Sequence, residues 1–196
     1  MKEFKTEKRL KKIEKVLTGR QFSLRVVLEN IHDPHNVSAI FRTCDAVGVP
    51  SVDLLYTYEA FPKISKISSA SSKKWVEQNR YDSTEDCINN LRKEGFEIYG
   101  STLSETAESI YDLDFTNKVA IIMGNEHRGI SDEINEIVDK HIYIPMRGMI
   151  QSLNVSVATA VILYEAQRQR TLKGMYDSCE LSQNEFENLI NVWCNK

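Results

Sequence analysis

A chain of 196 residues that is 41% apolar and 27% charged has the make-up of a globular protein: one large domain, or a domain with a short appendage, with enough length to bury a proper core. The formal net charge of −3 excludes a protein that is basic all over, yet leaves room for a local basic patch facing nucleic acid. The N-terminus lacks the apolar stretch of a signal peptide, and no run approaches the roughly 18 apolar residues of a membrane span, so a cytoplasmic protein is expected.

In chain order, the first twenty residues carry Lys2, Lys5, Lys8, Arg9, Lys11, Lys12, Lys15 and Arg20 against Glu3, Glu7 and Glu14. Leu10, Ile13 and Leu17 recur at helical spacing, which predicts an amphipathic helix whose basic outer face is either solvated or turned to RNA. LRVVLEN from Leu24 reads as a strand and HDPHN as a turn-forming loop. NVSAIFRTCDAVGV reads as a helix with Asn36 as its N-cap and Gly48 just past its end. SVDLLYT is the next strand. The Ser/Lys-rich stretch after it holds a loop and a short helix, then a strand near residues 75–80. Lys63, Lys66, Lys73 and Lys74 cluster there as a possible phosphate track.

Ser83 and Asp86 have the spacing of a capping box for TEDCINNLRKE, which Gly95 closes. FEIYGST and KVAIIMG read as strands, ISDEINEIVD as a helix and HIYIPM as a strand. The loop RGMIQSLN leads into VSVATAVILYEA, whose first two turns are apolar all round, so this helix is expected to be buried on most sides. Asn154 stands at its N-cap position. Ser182 and Glu185 open a last helix, with Phe186, Leu189, Ile190 and Trp193 on one face. Cys44, Cys87, Cys179 and Cys194 are scattered, which favours free thiols over a disulfide framework or a zinc site. His32 and His35, with no further ligand nearby, favour a polar loop over a metal site.

Strands alternating with helices predict an α/β fold with a mostly parallel sheet and helices on both faces. Ligands in such sheets sit at the carboxyl ends of the strands. Those ends bring Asn36, Arg42, Ser101, Thr102, Glu126, Arg128, Ser152 and Asn154 into consideration. There is no G-x-G-x-x-G, no complete P-loop and no G-x-S-x-G elbow. A set of hydrogen-bond donors without a nucleophile or a metal cage suits catalysis by positioning two bound substrates. Taken singly, Arg42 and Arg128 read as solvated arginines, and Glu126 could simply pair with Arg128.

NVSAIFRTCDAVGV, IIMGNEHRGIS and IPMRGMIQSLNVSVATAVILYEAQRQR, in that order and at that spacing, resemble the three motifs of the SpoU family of the SPOUT class, RNA ribose 2′-O-methyltransferases. The likeness covers residues 24–170. HDPHNVSAIFRT, SSASSKKWV and SLNVSVA look most like its TrmH branch, which acts on guanosine 18 of tRNA. The resemblance implies a deep C-terminal trefoil knot, S-adenosylmethionine as cofactor, and a homodimer whose active site borrows residues from both subunits. Matching motifs put cofactor contacts on Ser101, Thr102, Leu103, Gly124, Ile144, Met146, Ser152 and Leu153, and catalysis on Arg42, Asn36, Glu126, Ser152 and Asn154. Ribosomal RNA as substrate, or a non-catalytic RNA-binding dimer, are the other readings. The expected division is a basic helix over 1–20, a methyltransferase domain over 21–175 and an amphipathic helix over 176–196.

Overall fold

Short aliphatic runs that are buried at every position need cover on both faces, and here a parallel sheet between two helical layers supplies it. The computed structural model describes residues 6–62, 72–104 and 106–196. Its elements are α1 (Glu7–Thr18), β1 (Leu24–Glu29), α2 (Pro34–Val47), β2 (Ser51–Leu55), α3 (Ser72–Trp75), β3 (Glu77–Tyr81), α4 (Thr84–Lys93), β4 (Glu97–Ser101), β5 (Glu108–Ser109), β6 (Val119–Met123), α5 (Asp132–Ile137), β7 (Lys140–Tyr143), α6 (Val155–Leu172) and α7 (Gln183–Cys194). Among the described residues the seven strands make one sheet in the order β3-β2-β1-β6-β4-β7-β5. Every pairing in it is parallel. The expected α/β parallel fold is therefore present. The two-residue edge strand β5 was not expected, because two residues carry no periodicity.

Side chains alternate along each strand between two cores. Leu24, Val26 and Leu28 of β1, with Val119, Ile121 and Met123 of β6, pack against α2 and α6. Val27, Ala120 and Ile122 pack on the other face against Cys87, Ile88 and Leu91 of α4 and Ile134 of α5. A smaller cluster joins Ile13 and Leu17 of α1 to Ile190, Trp193 and Cys194 of α7. Trp75 stacks there on Trp193, with ring centroids 4.8 Å apart. Trp75 ends α3, so the strand expected near it starts two residues later, at Glu77. Ser83 accepts from the Asp86 N–H at 3.3 Å, the forward half of the expected box, while Ser182 and Glu185 complete theirs in both directions. Lys2, Lys5, Lys63 and Lys66 lie outside the described residues. Among the latter, no helix is long and apolar enough to cross a membrane.

The seating of α6 depends on Arg170, which is fully buried in its last turn. Its guanidinium donates to the carbonyls of Phe115 (2.9 Å), Asn117 (2.7 Å) and Ser23 (3.1 Å), and to Ser23 Oγ (2.7 Å). One cation thus ties the end of α6 to the segments that enter β1 and β6.

The expectation that α6 is buried on most sides fails in the single chain. Val155, Thr159, Ile162, Leu163 and Ala166 are buried, but Val157 and Tyr164 are exposed at 47% and 52%. Met149 and Ile150 of the preceding loop are also exposed. The all-round apolar sequence is real, but only one flank of the helix has a neighbour within the chain.

Arg170→Ala leaves five acceptors, Gln21 Oε1 among them, without their donor, so it should lower the unfolding free energy by about 3 kcal/mol. Urea denaturation at fixed protein concentration would measure it, and a shift below about 1 kcal/mol would mean that water replaces the guanidinium there.

Candidate active site at the carboxyl ends of the central strands

β1 and β6 lie side by side, with Leu28 opposite Met123. The chain leaves β1 toward β2 on one side of the sheet, whereas β4 and β7 lie on the other. Loops therefore part at the β1/β6 boundary and open a crevice, the place where parallel sheets hold ligands.

The crevice is held in shape by one carboxylate. Glu126, in the loop after β6, accepts from the His32 N–H at 3.1 Å, the Asp33 N–H at 3.2 Å and Asn36 Nδ2 at 2.9 Å. Partial burial alone would raise its pKa, but these donors outweigh that cost and hold the carboxyl below its ordinary range. Asn36 then accepts from Asn154 Nδ2 at 3.0 Å. Asn154 Oδ1 in turn accepts from the Ser156 N–H at 2.9 Å and so caps α6, as its position predicted. A chain of bonds thus runs from the β6 loop through α2 to the start of α6.

Asn36 is not the N-cap of α2. Asp33 is, accepting from the His35 N–H at 2.8 Å, because Pro34 fits the first helical position, where no N–H is needed. This moves Asn36 into the helix and frees its amide for Glu126 and Asn154. Glu126 likewise has its bonds with the β1 loop and α2; Arg128 instead places its guanidinium 5.3 Å from the ring centroid of Tyr58.

Beside this chain lies a cleft of about 620 Å³, lined by residues 101–103, 123–129, 143–144, Met146 and 152–155, with Ala158. All eight residues matched to cofactor contacts are on its walls, as are Glu126, Ser152 and Asn154; Asn36 reaches it through its bonds to both. Gly124 is needed at the turn itself. A Cβ there would sit 2.1 Å from the carbonyl carbon of Gly129, where Asn125 and Gly129 exchange two backbone hydrogen bonds of 2.9 and 2.8 Å. Arg42 is not a cleft residue. It lies on the exposed side of α2, about 120° around the helix from Asn36, and has no hydrogen bond or ion pair among the described residues.

Several organising residues escaped the reading of the sequence. Asn125 Nδ2 donates to the Asn30 carbonyl at 2.7 Å, and buried Glu29 accepts from the Ser131 N–H at 3.0 Å. Burial pushes the Glu29 carboxyl up, against the pull of Ser131. Asn30 has a left-handed backbone with φ 49°. An asparagine directly after a strand is the local signal that could have found it, since Asn tolerates that conformation. Among the described residues no three His, Cys, Asp or Glu side chains gather as a metal site would require.

Comparison with known proteins identifies relatives along nearly the whole chain. The profile of the SpoU rRNA Methylase family matches residues 23–164. The tRNA (guanosine(18)-2′-O)-methyltransferase of Aquifex aeolicus is 46% identical over 190 residues, covering 95% of this chain and 89% of the relative. The crystal structure of the A. aeolicus TrmH/SpoU tRNA modifying enzyme superposes with a TM-score of 0.89 at 43% identity, covering 96% of each chain. The SpoU methyltransferase AviRb of Streptomyces viridochromogenes, in complex with AdoMet, superposes with a TM-score of 0.68 at 28% identity, over 79% of this chain and 62% of that one.

Because its folded pKa is depressed, Glu126 contributes stability that is complete above the ordinary value of 4.5 and is lost as the pH falls through the lower folded value. Glu126→Gln lacks that titration. The gap in denaturation midpoint between wild type and Glu126→Gln should be widest near neutrality and narrow in acid; a gap that does not change with pH would show that the carboxylate is not what holds the loops.

Proposed function

Because the chain belongs to the SpoU rRNA methylase family, we propose that it transfers a methyl group from S-adenosylmethionine to the ribose 2′-hydroxyl of guanosine 18 in tRNA. The observation that carries this reading is the junction of the cleft with the Asn36–Glu126–Asn154 chain, three residues from the three matched motifs. The name of the A. aeolicus relative supports the choice of tRNA and of nucleotide. Action in the cytoplasm and a knotted C-terminal third belong to the same proposal.

The cleft fits the cofactor. Its volume is within the range of about 300–1,000 Å³ usual for ligand sites. Leu103, Met123, Ile144, Met146 and Leu153 give it apolar walls beside the hydroxyls of Ser101, Thr102 and Ser152. Backbone groups of Ser101, Thr102, Leu103, Gly124, Ile144, Met146, Ser152 and Leu153 would bracket adenine and ribose. What the cofactor supplies when bound is an electrophilic methyl on a sulfonium.

The protein's own part is positioning and charge. Glu126 has three donors on its two oxygens, so it is an organiser rather than a proton acceptor. Asn36 and Asn154 are bound to each other and share that role. Of the proposed catalytic residues, Arg42 is the one cation, and it has no hydrogen bond or ion pair among the described residues. Arginine stays protonated at any ordinary pH, so its chemistry is to hold an RNA phosphate and to stabilise the alkoxide that develops on the 2′-oxygen, while phosphate or solvent takes the proton.

Arg42 lies on the exposed side of α2, outside the lining of its own chain's cleft, which supports a homodimer in which it serves the partner's cleft. Met149, Ile150, Val157 and Tyr164 offer an exposed apolar surface for that association. The basic face of α1 adds a second RNA contact: Arg9, Lys12 and Lys74 rim a hollow floored by Ile13, Trp75 and Trp193.

Labelled methyl should pass from S-adenosylmethionine into unmodified tRNA and map to 2′-O-methylguanosine in the D-loop. Label in ribosomal RNA or another nucleotide would reassign the substrate, and cofactor binding without transfer would leave an RNA-binding dimer. Arg42→Ala should lower kcat by roughly 10²–10³-fold with cofactor affinity unchanged, as removal of one oxyanion donor does; a large loss of cofactor binding would refute the division of labour. Tyr164→Glu should shift the sedimenting species from dimer to monomer and abolish transfer, and a variant that stays dimeric would move the interface elsewhere.

A further inference from the structure

The rim of the cleft carries a pair of side chains that the bonding described above does not use. Tyr58 is 49% exposed, although it follows a strand that is buried throughout. Its backbone is not free: the N–H groups of Thr57, Tyr58 and Glu59 all donate to Asn30 Oδ1, at 3.0, 3.3 and 3.2 Å. The Asn30 carbonyl accepts from Asn125, whose own Oδ1 accepts from the Arg128 N–H at 3.4 Å. Two asparagines therefore set the tyrosine and the arginine facing each other, with the guanidinium carbon 5.3 Å from the ring centroid. Arg128 is also on the cleft wall, two residues from Glu126.

Core packing does not account for this arrangement, because the ring stays half in water. An isolated Arg–Tyr stack at the surface contributes little to stability. Chemistry accounts for it better. Unpaired RNA bases are held by stacking on aromatic rings, and guanine presents two neighbouring acceptors that match the fork of an arginine.

We propose that Tyr58 and Arg128 hold the base of the nucleotide whose ribose enters the cleft. The base displaces the guanidinium from the Tyr58 ring and stacks there, and Arg128 turns to donate to the acceptor edge of guanine. In the free protein the guanidinium lies over one face of the ring. This specificity role rests on the RNA methyltransferase reading.

The test is steady-state kinetics on tRNA transcripts with G or A at the target position, together with calorimetric titration of S-adenosylmethionine. Tyr58→Ala should raise the RNA KM roughly ten-fold with a smaller change in kcat, on the scale of one lost base stack, and Tyr58→Phe should restore it. Arg128→Ala and Arg128→Lys should both lose discrimination between G and A, because an ammonium has no fork. Cofactor affinity should be the same in all variants. Unchanged RNA KM in Tyr58→Ala, unchanged discrimination in Arg128→Ala, or weakened cofactor binding in either would overturn the assignment. Absence of transfer by the wild type on any RNA is a different result and would overturn the underlying reading instead.

Discussion

Two neighbouring parallel strands whose loops must part leave backbone N–H groups with no strand to bond, and Glu126 is the answer to that constraint. The His32 and Asp33 N–H groups open the loop before α2, and no helix or ladder can satisfy them there. A carboxylate brought from the β6 loop, 94 and 93 residues away, accepts both and takes the Asn36 amide as well. Hydrogen bonds to a charged acceptor contribute about 1.5–3 kcal/mol each, more than neutral ones, which is enough to define a crevice that apolar packing leaves undefined. From Asn36 the same order passes to Asn154 and the start of α6.

That bonding also sorts the polar residues of the site by what they can still do. Glu126, Asn36 and Asn154 are bonded into one chain and to backbone, which suits them to fixing the loops around the cleft. Arg42 has no partner among the described residues, and it alone of the proposed catalytic set is an unengaged charge. Buried cations elsewhere do the opposite work. Arg170 joins α6 to the entries of β1 and β6, and Arg25 pairs with buried Asp53 at 3.1 Å and with Glu94 at 3.0 Å. Both lie toward the amino ends of the strands, opposite the crevice, and tie together the scaffold from which its loops extend.

One side of α6 is committed to the core and the other is left open, and this asymmetry links fold to function. Val157 and Tyr164 face outward on the same helix whose N-cap, Asn154, belongs to the site chain. A partner bound on that face would touch the helix that carries the site, so assembly and active-site order would share one element. The α1 and α7 pair is held by its own small cluster and by the Trp75–Trp193 contact.

Much of this protein is legible without coordinates. Alternating strand and helix patterns dictate a parallel α/β sheet, because runs such as VAIIM can only be covered from both faces. The three motifs name the loops, and the Asn154 and Ser182 caps follow from local chemistry alone. What depends on tertiary structure is which group each polar side chain finds. Asn36 reads as a cap until Pro34 and Asp33 take the helix start, and Glu126 reads as a partner for Arg128 until the β1 loop arrives beside it. Likewise the apolar turns of α6 read as buried all round, whereas the chain covers only one flank. Local patterns fix backbone conformation, since that depends on neighbours within a few residues. Partners separated by 90 and 118 residues are chosen only when the sheet order sets the β6 loop and the start of α6 beside α2.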